Sequence, residues 1–122
     1  MLKVGQSAET TRTYTQEDMQ AFSALGGAGA DGVPEPLIAA LFSYLLGVKL
    51  PGAGTNYLKQ DLVFKASAEL NKMLHAKVEI IRLRPDKHLV DLWATCRTTD
   101  GTLICEGRSL VKAKDTAGAF EP

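Results

Sequence analysis

Few side chains in this sequence are of kinds that do acid–base or nucleophilic work: two histidines, His75 and His88, two cysteines, Cys96 and Cys105, and an acidic pair, Asp31 and Glu35, at the start of an apolar run. A general base and acid acting on one water must converge on it. His75 falls on the outward side of an alternating stretch and His88 beside a turn, so both read as surface residues. Cys96 and Cys105 lack the further Cys or His spacing of a zinc site, and no metal or other cofactor is expected. Nothing near them in the sequence would activate a thiol, so they read as small core residues rather than a redox pair. Glu35 opens a helix, where a negative charge is favoured by ~0.3–1 kcal/mol. That placement explains it without catalysis, but Glu35, with Asp31, is also the acidic candidate for a base or nucleophile.

The elements that would position these groups follow from periodicity. Pro34 and Pro36 suit the first turn of a helix and Gly47 the position past its end. Between them Leu37, Ile38, Ala39, Ala40, Leu41, Phe42, Leu45 and Leu46 are apolar around nearly the whole circumference, which predicts a helix buried on most sides. At ~1.5 Å per residue it is roughly 18 Å long, too short for a bilayer of ~30 Å. The material to wrap it is the strand-rich sequence over residues 55–112.

Upstream, residues 2–14 are Thr-rich and mildly alternating, as in an edge strand. Thr15 and Asp18 form a capping-box pattern, followed by Met19, Phe22 and Leu25 at helical spacing. Gly26-Gly27 stops that helix. The stretch Gly-Gly-Ala-Gly-Ala-Asp-Gly over 26–32 lacks the Lys-Ser/Thr ending of a phosphate loop and reads as a plain connector. Downstream, Leu58, Gln60, Leu62 and Phe64 alternate with Tyr57, Lys59, Asp61 and Lys65. Gln60, on the inner face, must either satisfy other polar groups or face a ligand.

Leu74, Ala76, Val78 and Ile80 are the inner set of the next strand, and Val90, Leu92, Ala94 and Cys96 that of the one after Arg84-Pro85-Asp86-Lys87. For these faces to meet, Ile80 must pair with Leu92, which needs an odd loop or a bulge. Asp100-Gly101 signals a two-residue turn. It sets Cys96 opposite Cys105, Ala94 opposite Gly107, Leu92 opposite Ser109 and Val90 opposite Val111. The small pairs would let a helix approach closely. Outside, Trp93 meets Arg108 and Thr95 meets Glu106, with a guanidinium over the indole. The predicted fold is α+β: one buried helix inside about five antiparallel strands, the hot-dog arrangement, as one domain over 1–113 with a disordered tail over 114–122.

The chain of 122 residues is 45% hydrophobic and 23% charged, with formal net charge zero. No global field would draw it to nucleic acid or an anionic membrane. The N-terminus lacks a secretory pattern, so a cytoplasmic protein with reduced thiols is expected.

The sequence resembles the MaoC-like group of hot-dog proteins that includes the (R)-specific enoyl-CoA hydratases. The resemblance rests on Leu45-Leu46-Gly47, Leu50-Pro51-Gly52-Ala53-Gly54-Thr55, the block from Tyr57-Leu58-Lys59-Gln60 to Val63-Phe64, Leu83-Arg84-Pro85-Asp86-Lys87, and Asp100-Gly101 with Glu106-Gly107. It implies dimers whose sheets join edge to edge and an acyl-CoA or acyl-carrier thioester lying near the helix at the subunit boundary. The family's Asp-x-Asn-Pro-x-His segment, which holds a water for addition to the enoyl double bond, has no counterpart after Gly26-Gly27. Val33-Pro34-Glu35 stands where Ala-His-Gly would offer an N–H to the thioester oxygen.

The resemblance thus implies an acyl-thioester-binding protein without hydratase activity of its own, in a homodimer or beside a second hot-dog chain that brings the Asp and His. Leu41, Phe42 and Leu45 of the helix, with Tyr57 and Gln60 of the strand, are the candidates for lining the acyl slot. Lys49 and Lys59 are candidates for its mouth. An alternative is a thioesterase or hydratase using Glu35 and Asp31. Another is a purely structural dimeric module with Trp93, Ile104 and Leu110 as an outward sticky patch.

Overall fold

A computed structural model describes residues 1–27 and 32–120. Its elements are β1 (Ser7–Thr13), α1 (Gln16–Ala24), α2 (Glu35–Tyr44) with a π-helical turn over Leu45–Lys49, β2 (Asn56–Phe64), β3 (Met73–Arg84), β4 (Leu89–Thr98) and β5 (Leu103–Lys112). The strands form one antiparallel sheet in the order β1-β3-β4-β5-β2. This is the hot-dog arrangement.

The inner face is as alternation demands. Leu74, Ala76, Val78, Ile80, Val90, Leu92, Ala94, Cys96 and Val111 are all fully buried, together with Ile38, Phe42, Leu45 and Leu46 of the helical segment. Ile80 pairs with Leu92, and the required irregularity is a bulge at Ile81. The β4–β5 hairpin pairs Cys96 with Cys105, Ala94 with Gly107, Leu92 with Ser109 and Val90 with Val111, but not through the expected two-residue turn: Thr98 N–H donates to Thr102 O at 3.0 Å around a three-residue loop, and a bulge at Ile104 brings the strands back into that register. At the start of α1, Thr15 and Asp18 complete the capping box, the Thr15 N–H donating to Asp18 Oδ2 at 2.8 Å. That bond holds the Asp18 carboxyl below its usual range.

Three further details depart from expectation. Gly47 does not end the helix: Leu50 N–H donates to Leu45 O at 2.8 Å, five residues back, and Gly52 N–H to Leu46 O at 3.0 Å. The consecutive Leu45 and Leu46 are both buried at the start of this widened turn. The helix is also buried along one side only, since Ala40, Ser43 and Tyr44 are exposed. Residues 114–120 form turns in place of the expected disordered tail. Leu2 N–H donates to Ala119 O at 2.8 Å, Ala119 is buried, and the Phe120 ring meets His88 edge-on at 5.5 Å, so short apolar side chains anchor the segment.

Ile104 is the unpaired residue of the β5 bulge and is buried in the core cluster, so Trp93, Ile104 and Leu110 do not make one exposed patch. Arg108 does not stack on Trp93 among the cation–π contacts found; its Nη1 lies 3.4 Å from Asp91 Oδ1.

Candidate functional site

The N-terminal end of α2 is fixed by its backbone. Val33 N–H donates to Ala68 O at 2.9 Å, and Tyr14 OH donates to Leu37 O at 2.7 Å. Gly32, at φ +84°, sits so close to Ala68 O that a Cβ would collide with it. Pro34 and Pro36 carry no N–H, so between Val33 and Leu37 the one backbone donor is that of Glu35. The Glu35 carboxylate is exposed, and among the described residues no side chain pairs with it. Asp31 lies outside the described residues.

The predicted acyl-lining residues divide into two groups. Phe42 and Leu45 are wholly buried against the sheet. Leu41 borders a cleft of about 300 Å³ between β1 and α2, with Thr10, Arg12 and Tyr14 on one wall and Ala40 and Tyr44 on the other. Tyr57 and Gln60 are on β2, at the opposite sheet edge. A bulge at Leu58 turns Tyr57 to the inner face, opposite Val111, and leaves Leu58 exposed, the reverse of what strict alternation gives. Tyr57 and Gln60 then meet on Ser109: Gln60 Nε2 donates to Ser109 Oγ at 3.2 Å and the Tyr57 hydroxyl lies 3.4 Å from it. Burial raises the Tyr57 pKa, and the Ser109 bond offsets part of that. Ser109 is fully buried and was not a predicted site residue, although its pairing with Leu92 had already placed it inward.

Lys49 and Lys59 do not share a mouth. Lys49 Nζ donates to Glu9 O on β1 at 3.0 Å, whereas Lys59 pairs with Asp61 on β2 at 3.6 Å. His75 pairs with Glu9 across the outer face at 3.3 Å, and His88, at φ +57°, closes the turn after β3. The imidazoles therefore sit on different parts of the surface. Among the described residues no three His, Cys, Asp or Glu side chains converge as metal ligands, and no helix is long and apolar enough to cross a membrane.

Both thiols are buried and free. Burial pushes Cys96 from its ordinary 9.0 to about 11 and Cys105 to about 12, the latter raised further by the charges of Cys96, Glu35 and Glu106. Between pH 9 and those values the unfolded thiols ionise while the folded ones stay protonated. The unfolded state then binds fewer protons, so stability falls as pH rises. Urea midpoints taken from about pH 8 to about pH 10 should decline in the native protein and decline less in the Cys96→Ala, Cys105→Ala double variant. Equal slopes would contradict the assignment.

No family model matches the chain. It is similar to the (R)-specific enoyl-CoA hydratase of Aeromonas caviae, 34% identical over 91% of this chain and 95% of that one. The corresponding enzyme of Rhodospirillum rubrum is 31% identical over 90% and 87%. The solved structure of the A. caviae (R)-hydratase superposes with a TM-score of 0.86 at 33% identity, covering 91% of this chain and 96% of that chain.

Proposed function

This chain belongs to the (R)-specific enoyl-CoA hydratase family of hot-dog proteins, and on that footing we propose that it binds an acyl thioester, on CoA or an acyl carrier, as part of a dimer without hydrating it unaided. Adding water across an enoyl double bond needs a base to take one proton and an acid to return one, both in reach of the same water. The observation that carries the reading is the short link between α1 and α2, residues 25–34, with both imidazoles remote from it. The alignment with the A. caviae enzyme runs over 127 positions, more than the 122 residues of this chain, so that relative has residues this chain lacks.

What remains suits binding. By the resemblance, Val33-Pro34-Glu35 stands where the family has Ala-His-Gly, so Glu35 N–H is the candidate donor to the thioester oxygen. Phe42 and Leu45 are closed into the core, so an acyl slot within one copy is not open there; Tyr57, Gln60 and Leu62 instead lie at a free sheet edge. That edge also exposes Leu58 and Val63, and an unpaired strand edge invites a second strand. Edge-to-edge pairing of β2 with a like strand, from a second copy or a related chain carrying Asp and His, would complete the slot.

The test is direct. Purified protein alone should leave crotonyl-CoA unhydrated, while short acyl-CoAs should raise its melting temperature saturably. Co-expression with a second hot-dog chain that carries the Asp and His should give a co-purifying, active pair. Rapid hydration by this chain alone, unchanged in Glu35→Gln and Asp31→Asn, would overturn the account. A second reading follows from the exposed Glu35, which has no ion pair among the described residues: a thioesterase in which this carboxylate acts as base. Release of free CoA from acyl-CoA, abolished in Glu35→Gln, would replace the first reading with that one.

A further inference from the structure

The sheet has two edge strands, β1 and β2, and a side chain of the helical segment sits on the first of them. Ile80 N–H donates to Gln6 O at 2.9 Å, and antiparallel pairing alternates from there, so Ala8, Thr10 and Arg12 turn their backbone groups to β3. The N–H and C=O groups of Ser7, Glu9, Thr11 and Thr13 therefore point to the open edge. Among the described residues one hydrogen bond reaches that row: Lys49 Nζ donates to Glu9 O at 3.0 Å. The π-helical turn that carries the segment past Gly47 lies against β1 and brings Lys49 there, with its ammonium 5.9 Å from the centre of the Tyr44 ring. The Glu9 carboxylate is turned to the outer face, where it meets His75.

We propose that Lys49 is an edge guard: its ammonium closes β1 to strand addition and confines pairing of the sheet to β2. β1 lacks protection of its own, since it holds neither proline nor bulge, is rich in threonine, and has one carboxylate, Glu9, cancelled by one guanidinium, Arg12. It is also self-complementary. Two copies paired antiparallel about Thr11 would set Glu9 opposite Thr13 and Thr10 opposite Arg12, with no like charges facing each other. An added strand must bring an N–H to Glu9 O, the place that Lys49 Nζ holds, and would trap the ammonium beside that donor without a counter-charge. With β2 as the dimer edge, as proposed above, an unguarded β1 would join dimer to dimer without end, because two different self-pairing edges on one chain do not close.

The test reads the mass of the full chain by light scattering over a concentration series, with no thioester present, so it is independent of acyl binding. The parent should keep one mass throughout. Lys49→Ala should grow with concentration to about twice that mass or more, while Lys49→Arg, a cation of similar reach, stays with the parent. If β2 pairs, growth continues past two dimers; if it does not, the parent is a monomer and the variant stops at a dimer, and either result supports the guard while separating it from the dimer reading. Thr11→Pro locates the edge: the Thr11 N–H makes no bond to β3, so proline removes an edge donor and leaves the ladder whole. Lys49→Ala combined with Thr11→Pro should therefore return to the parent mass. Should Lys49→Ala lower the melting temperature, Lys49→Met, which keeps the apolar stem beside Tyr44, takes its place. Lys49→Ala at the parent mass, equal growth in Lys49→Arg, or growth that survives Thr11→Pro would overturn the proposal.

Discussion

Gly107→Ala is expected to cost about 3–4 kcal/mol of folding stability, a large share of what a domain of this size has. Gly107 lies on β5 opposite Leu62, and a Cβ there would collide with the carbonyl oxygen of Asp61 and come within 2.9 Å of Leu62 Cα. The obstacle is backbone, so no rotamer change relieves it; β2 must shift outward, and the Gln60 and Tyr57 bonds to Ser109 would be lost with it. Denaturant unfolding measures the cost, and weaker thermal stabilisation by acyl-CoA measures the effect on the β2 edge. Gly47→Ala is the control. Nothing lies within 4 Å of a Cβ at Gly47 and its φ is ordinary, so that variant should stay within about 1 kcal/mol of the parent. Equal behaviour of the two variants would show that the close approach of β2 to β5 does not matter.

Asp91→Ala should be the most damaging change on the outer face, at about 2–4 kcal/mol. Asp91 is only 2% exposed, yet it lies on the side of the sheet that faces away from the helix, where Arg84 and Arg108 cover it. Arg84 Nε and Asp91 Oδ1 are buried without a well-aligned hydrogen bond, so the pair is an imperfect one that breaks at high cost without being a strong source of stability. Removing the carboxylate leaves guanidinium groups without their counter-charge. Asp91→Asn should therefore cost nearly as much as Asp91→Ala, and Arg84→Met combined with Asp91→Leu should recover most of the loss. A double-mutant cycle on chemical unfolding checks both, and an Asp91→Asn variant as stable as the parent would show that charge is not what matters there.

The faces of β4 and β5 were legible from alternation, Val90 to Cys96 and Cys105 to Val111, and they set the Cys96–Cys105 pair. The turn was not: Thr98 N–H donates to Thr102 O, so the loop has three residues where Asp100-Gly101 signalled two, and a bulge at Ile104 restores the register that the apolar faces demand. The need for an irregularity between Ile80 and Leu92 was legible for the same reason: two strongly apolar faces leave one parity open. β2 offered less, since its outward residues include Val63 and its inward ones Gln60, and an edge strand tolerates an extra residue with little penalty. Its bulge at Leu58, and with it the direction of Tyr57, is a tertiary choice. The helix terminus was misread because Gly47 looks like a stop while the demand of Leu45 and Leu46 for the core carries the segment on to Lys49. The need for Gly107 was traced to helix approach, whereas the atoms that exclude a Cβ belong to β2. The Asp91 cluster escaped notice because the bulge at Ile81 sets whether Arg82 and Arg84 share its face, and charge on an outer position is ordinarily solvated.

The extra residue at Leu58 has a consequence for how this edge can diversify. Deleting Leu58 would leave Tyr57 inward in a regular strand, whereas deleting Tyr57 would put Leu58 in its place, in both cases with every other strand left where it is. Whether a phenol or a leucine looks toward the helix would then be governed by which residue is lost at a single point, and related sequences could differ in the polarity of this rim while matching at every position an alignment scores.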